Sequence, residues 1–125
     1  MTLVGKPQSF SHSNEVDEVL NALSNARRRR LLLLLDQRSE PVSAGELATE
    51  IAARENGIEP NAVSCQQRKR VYIALTQHHL AILDEVGAID YDEQGKRLTA
   101  TEHTAALTEF LTDLSAAYSR GDDGR

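Results

Sequence analysis

Arg27 to Arg30, Arg68-Lys69-Arg70 and Lys96-Arg97 hold nine of the 14 basic residues of the chain. Guanidinium and ammonium groups clustered in this way pair with phosphate or carboxylate oxygens, arginine through a planar fork and lysine as a point charge. Four consecutive arginines span a full helical turn, so no more than two share a face. At least one of them is expected to pair with an acid or to cover apolar surface with its stem. The clusters at 68–70 and 96–97 are therefore the stronger phosphate candidates. His78 and His79 are adjacent, diverge by about 100° on a helix and cannot chelate one metal ion as a pair. His79 falls on an apolar face, where a hydrogen-bonded core histidine is expected. Cys65 is the single cysteine, which excludes an intramolecular disulfide and a multi-cysteine zinc site; a buried or half-buried thiol is expected there. The sequence carries no glycine-rich phosphate loop, nucleophile elbow or Cys/His dyad. It predicts a protein that is not an enzyme and takes no cofactor and no metal.

The elements that position these residues can be read from the spacing of the apolar ones. Val16, Val19, Leu20 and Leu23 recur at i, i+3, i+4, i+7 and predict a first helix from about Glu15, capped by Ser13 or Asn14. Ser24 and Asn25 interrupt it, and a second helix restarts near Ala26 and runs to about Gln37, before Ser39-Glu40-Pro41. Leu31, Leu34 and Leu35 can share its core side; Leu32 and Leu33 then point elsewhere and predict a subunit interface. Ser43 with Glu46 forms a capping box ahead of Leu47, Ala48, Ile51 and Ala52, a third helix that Asn56-Gly57 ends. From Pro60 to Gly87 no proline or glycine intervenes. Tyr72, Leu75, His79, Ile82, Leu83 and Val86 line one face there, as one long helix or two abutting ones. Residues 88–92 and 96–100 alternate around Asp92-Glu93-Gln94-Gly95, a β-hairpin with Ile89, Tyr91 and Leu98 inward. Thr101 can cap a last helix whose stripe is Leu107, Phe110, Leu111, Leu114 and Tyr118.

Charge and length bound what this arrangement can serve. With 19 acidic residues against 14 basic ones the net charge is −5, which opposes adhesion to nucleic acid through bulk charge. The basic residues are clustered, however, and arginine far outnumbers lysine, a balance that fits adaptation to high internal salt. The longest apolar run, Leu31 to Leu35, is too short to cross a bilayer, and residues 1–13 have no apolar signal segment. A cytoplasmic protein with no membrane partner is expected. The 125 residues suit one domain over 14–118, with residues 1–13 and 119–125 as disordered tails.

Helices followed by a hairpin directly after the longest one, then a closing helix, is the order of a winged helix-turn-helix: mainly α, about five helices, with a small β wing. The stretch Ala22-Leu23-Ser24-Asn25-Ala26-Arg27-Arg28-Arg29-Arg30-Leu31-Leu32 resembles the opening of winged-helix regulators of the arsenic-repressor type. Gln77-His78-His79-Leu80-Ala81-Ile82-Leu83-Asp84-Glu85-Val86-Gly87-Ala88-Ile89 is similar to the end of their recognition helix and the entry to their wing, and Gly45-Glu46-Leu47-Ala48 lies in order between the two. Within that superfamily the chain is similar to small winged-helix proteins of salt-loving archaea. The resemblance implies a homodimer that binds double-stranded DNA and regulates transcription, with a helix in the major groove and the wing on backbone or minor groove. The stretch between Leu47 and His79 is longer than in the usual regulator, which leaves two candidate reading sets. By resemblance they are Thr76, Gln77 and His78; by charge, Arg68, Lys69 and Arg70, with Lys96 and Arg97 on the wing in either case. Val16, Leu20, Leu32, Leu107, Phe110, Leu111, Leu114 and Tyr118 are the expected dimer surface. The other reading open at this point is a winged-helix module for protein contact that does not bind DNA.

Overall fold

Local capping chemistry sets most of the element boundaries. The computed structural model describes residues 15–123, so the predicted cap at Ser13 or Asn14 and the tail at 1–13 lie outside the described residues. Helix α1 covers 15–23 and stops where the Ser24 hydroxyl donates to the Asn21 carbonyl at 2.6 Å. Asn25 then accepts from the amides of Arg27 and Arg28 and starts α2, Ala26–Asp36, as a side-chain oxygen at an N-cap should. Strand β1, Val42–Ser43, leads into α3, Ala44–Asn56, which Ser43 caps through the Glu46 amide and Gly57 closes at φ 65°. That left-handed backbone is one that glycine adopts without penalty.

A single 3-10 turn, Pro60–Ala62, precedes α4, Cys65–Ala74, which opens on a full capping box between Ser64 and Gln67. The helix continues without a break through a π turn, Leu75–His79, into α5, Leu80–Glu85. The two alternatives left by the sequence thus merge: one axis, with a widened turn in its middle. Strands β2, Ile89–Asp92, and β3, Arg97–Ala100, form the expected hairpin. Its partner β1 was not anticipated: Val42 pairs with Leu98 and Ser43 with Arg97, giving the antiparallel order β1-β3-β2. A two-residue strand is too short to show a period of two. Helix α6 runs Glu102–Asp123, past residue 118, where the sequence suggested that a tail begins.

The protein is mainly α with a small β wing, the winged-helix arrangement. Leu31, Leu35, Leu47, Ile51, Leu75, Leu80, Leu83, Ile89 and Leu98 fill the core at 0–1 % exposure. One dimer-surface expectation is corrected by this core. Leu32 is fully buried, whereas Leu33 is 40 % exposed. Helix α2 packs against α3, β3 and α6, so it buries more than the one stripe that an amphipathic surface helix would. Buried threonines fix α6: Thr104 donates to the Ala88 carbonyl at 2.7 Å, and Thr108 to the Asp36 carboxylate at 3.0 Å.

Truncating Leu32 to Ala should lower the free energy of unfolding by about 2–5 kcal/mol, the usual cost of a buried cavity. Leu33→Ala should cost less than about 1 kcal/mol. Urea denaturation of the two variants measures both, and equal costs would contradict the packing described.

Candidate nucleic-acid interface

The wing is held against the start of α3. The Ala44 amide donates to the Lys96 carbonyl at 2.8 Å, and Lys96 itself has φ 54°, so the hairpin turn is folded toward α3 and α4. Ser43, Gly45, Cys65, Arg68, Lys69, Tyr72, Gly95 and Lys96 line a cleft of about 580 Å³ between these elements. Residues 65, 68, 69 and 72 lie on one helical face by their spacing. Arg68 passes over Gly45: a β-carbon at Gly45 would stand 3.5 Å from a terminal nitrogen of Arg68.

Arg68, Lys69 and Lys96 form no ion pair among the described residues, in contrast to Arg27 and Arg38. The amino-terminal ends of α3 and α4 open near the same cleft, and helix N-termini carry partial positive charge. The first turn of α4 contains no acid, and the Glu46 carboxylate in the first turn of α3 is engaged by Arg38 at 2.9 Å. The cleft is thus a local concentration of positive charge on an acidic chain. Beside it, the Tyr91 hydroxyl is buried without a hydrogen-bond partner among the described residues. Burial raises its pKa, and the nearby Lys96 charge partly opposes that shift.

The two candidate reading sets are not equivalent in space. Of the charged set, Arg68 and Lys69 line the cleft and Arg70, although exposed, does not. Thr76, Gln77 and His78 sit together in the π turn, further along the axis. The Thr76 hydroxyl is spent on the Tyr72 carbonyl at 3.0 Å, while Gln77 and His78 are exposed. On the wing, Lys96 lines the cleft, whereas Arg97 reaches the Pro41 carbonyl at 3.4 Å. Ser43, Gly45 and Tyr72 were named from the sequence but not as site residues. Ser43 announced itself as a cap, Gly45 as part of the stretch Gly45-Glu46-Leu47-Ala48, and Tyr72 as a member of an apolar helix face. Cys65 is exposed, a correction to the buried or half-buried thiol expected, because it occupies the first turn of α4 on the cleft side.

The arginine run serves a different purpose. The Arg27 guanidinium pairs with both oxygens of Glu55 at 2.6 and 2.7 Å, which holds its pKa up and that of Glu55 down. Arg29 donates to the Leu23 carbonyl at 2.9 Å. Arg28 is 6 % exposed and donates to the Ala22 carbonyl at 2.6 Å and the Asn21 carbonyl at 3.3 Å; it lies 3.1 Å from Nδ1 of His79. Since a guanidinium only donates, Nδ1 of His79 accepts, and the ring is neutral with its proton on Nε2. Burial first, then the Arg28 charge, lowers the His79 pKa to about 4. His79 is the hydrogen-bonded core histidine that the apolar stripe implied.

Residues 20–99 match the family model of a domain of unknown function, DUF7344, and the chain belongs to that family. No curated protein and no solved structure matches it. Among the described residues no group of three or more His, Cys, Asp or Glu side chains could hold a metal ion, and no helix is long and apolar enough to cross a membrane.

A histidine whose pKa falls from 6.5 to about 4 on folding binds its proton in the unfolded chain first. Its contribution to stability is complete above pH 6.5, shrinks on acidification and levels off below about pH 4, a loss on the order of 3 kcal/mol. His79→Asn keeps an acceptor for Arg28 and does not titrate. Denaturation midpoints between pH 7 and 5 should therefore fall less steeply for His79→Asn than for the natural chain, and parallel curves would contradict the buried neutral ring.

Proposed function

We propose that this DUF7344 protein is a homodimeric regulator of transcription that binds double-stranded DNA through the α3–α4–wing cleft. The observation that carries the reading is the convergence of Arg68, Lys69 and Lys96 from two elements onto one cleft, without carboxylate partners among the described residues. Cations in that condition are available to phosphate oxygens. The 10 residues of α4 at 1.5 Å rise make a rod of about 15 Å, and a helix fits the major groove while a hairpin at its side reaches the flanking backbone. Gln77 and His78, exposed further along the same axis, are the candidates for contacts to base edges beyond the phosphates. Arg70 and Arg97 contribute at most long-range charge in this reading.

Two apolar grooves support the homodimer. Val16, Val19, Leu20, Leu23, Leu107 and Phe110 line one between α1 and α6, and Leu33, Leu111, Leu114 and Tyr118 line another between α2 and α6. Val16, Leu20, Phe110, Leu114 and Tyr118 are 45–75 % exposed, more contiguous apolar surface than scattered single residues produce. Leu33 takes the place first given to Leu32. A second copy covering α1 and α6 would bury these faces by two-fold symmetry and set two α4 helices toward one side of a duplex. The resemblance to arsenic-repressor-type regulators noted from the sequence, and the composition suited to high internal salt, agree with this reading. The same grooves also favour the second one, a protein-contact module that leaves DNA alone.

Fluorescence anisotropy on labelled duplex DNA across a salt series separates them. The natural chain should bind with an affinity that falls as salt rises, because each phosphate contact releases counterions. Joint replacement of Arg68, Lys69 and Lys96 by Ala should weaken binding at least tenfold and flatten the salt slope by about two to three units, whereas Arg70→Ala should change little. No binding by the natural chain at low salt would overturn the DNA reading in favour of protein contact. In sedimentation, Phe110→Asp with Leu114→Asp should turn a dimer into a monomer; a natural chain that is already monomeric would overturn the homodimer.

A further inference from the structure

We propose that the buried Arg28–His79 pair is the positioning element of the recognition helix, fixing through the π turn the rotation at which Arg68 and Lys69 meet the cleft. This rests on the DNA-binding reading of that cleft. Three observations lead to it. The first is that α4 is seated along one side, on α3, through buried Val71 and partly buried Tyr72, so its basic residues meet the cleft at one rotation of the helix and lose it at another. The second is the π turn. The Leu80 amide donates to the Leu75 carbonyl, five residues back, which accommodates one residue more than an α-turn would. It brings both His79 and Leu80, at 6 % and 0 % exposure, into the core below Leu75. Relaxing that turn to α geometry would rotate everything on its amino-terminal side by roughly 100°, the angle one helical residue occupies. Arg68 and Lys69 would then leave the face that closes on Gly45 and the wing.

The third observation is what holds the extra residue in. Nδ1 of His79 lies 3.1 Å from the Arg28 guanidinium, which the Asn21 and Ala22 carbonyls at the end of α1 fix in turn. A buried guanidinium needs its acceptors. Removing the imidazole takes one away, and expelling His79 from the core is the direct way to release the π turn. The charged and titratable groups that bear on His79 are Arg28 and Arg27 from α2, Glu55 from α3 and His78 from its own turn. Three of these four oppose a proton on the ring. Neutral His79 therefore accepts from Arg28, whereas protonated His79 would place a second cation against it.

The test compares His79→Phe, which keeps the bulk and removes the acceptor, with His79→Asn, which keeps an acceptor, after circular dichroism has shown both to be folded. On duplex DNA, His79→Phe should lose about tenfold in affinity with a salt slope smaller by one to two units, and His79→Asn should stay within about threefold of the natural chain. In amide correlation spectra without DNA, residues 65–70 should shift in His79→Phe and hold in His79→Asn. When the natural chain is acidified, these amides should move together with the His79 ring nitrogens. If the natural chain fails to bind DNA, the reading of the cleft falls while the spectra still decide the positioning role. Unmoved amides at 65–70 in His79→Phe, or amides indifferent to His79 titration, overturn the proposal.

Discussion

A guanidinium buried without a carboxylate is costly unless every one of its directions is met by an acceptor. Arg28 approaches that condition with one acceptor for each of its three nitrogens, two carbonyls at the end of α1 and the imidazole of His79. The carbonyl end of a helix is its negative pole, so Arg28 also sits where a cation is favoured. Through this one side chain α1, α2 and the middle of the long helix are held to each other. Arg29 closes a further carbonyl of α1, and Arg27 ties α2 to the end of α3 through Glu55. Three consecutive arginines that look like a phosphate-binding patch are thus the joint between three helices and the π turn.

That joint divides the surface into two regions of different chemistry. On one side the wing, α3 and α4 enclose a cleft in which helix N-termini gather with cations that are unpaired among the described residues. Elsewhere α1, α2 and α6 leave apolar side chains uncovered. With a net charge of −5, the proposed DNA reading depends on where the cations gather and not on bulk charge.

Much of this was legible in the chain because it is written in short-range patterns. Asn25, Ser43, Gly57 and Thr101 mark helix ends, each through a bond or backbone geometry a few residues away. The hairpin follows from alternation around a polar turn, and His79 from its place in an apolar stripe. What escaped depends on distant partners. Leu32 and Leu33 are indistinguishable by type, and only the packing of α2 against α3, β3 and α6 decides which is buried. The two-residue strand β1 exists only because β3 is there to pair with it. The π turn is hidden because Leu75, His79 and Leu80 fit an α stripe or a widened one equally until Arg28 is in place. Within the basic clusters, charge alone could not separate Lys96 from Arg97 or Lys69 from Arg70; the orientation of each on its element does.

The most direct test of the cleft as the DNA surface is amide chemical-shift mapping during titration with a short duplex of the chain's own upstream region. Perturbations confined to residues 43–46, 64–72, 76–78 and 94–97 are the predicted result, with α6 unaffected at constant dimer. Perturbations centred on α1 and α6, or none at saturating duplex, would contradict the account.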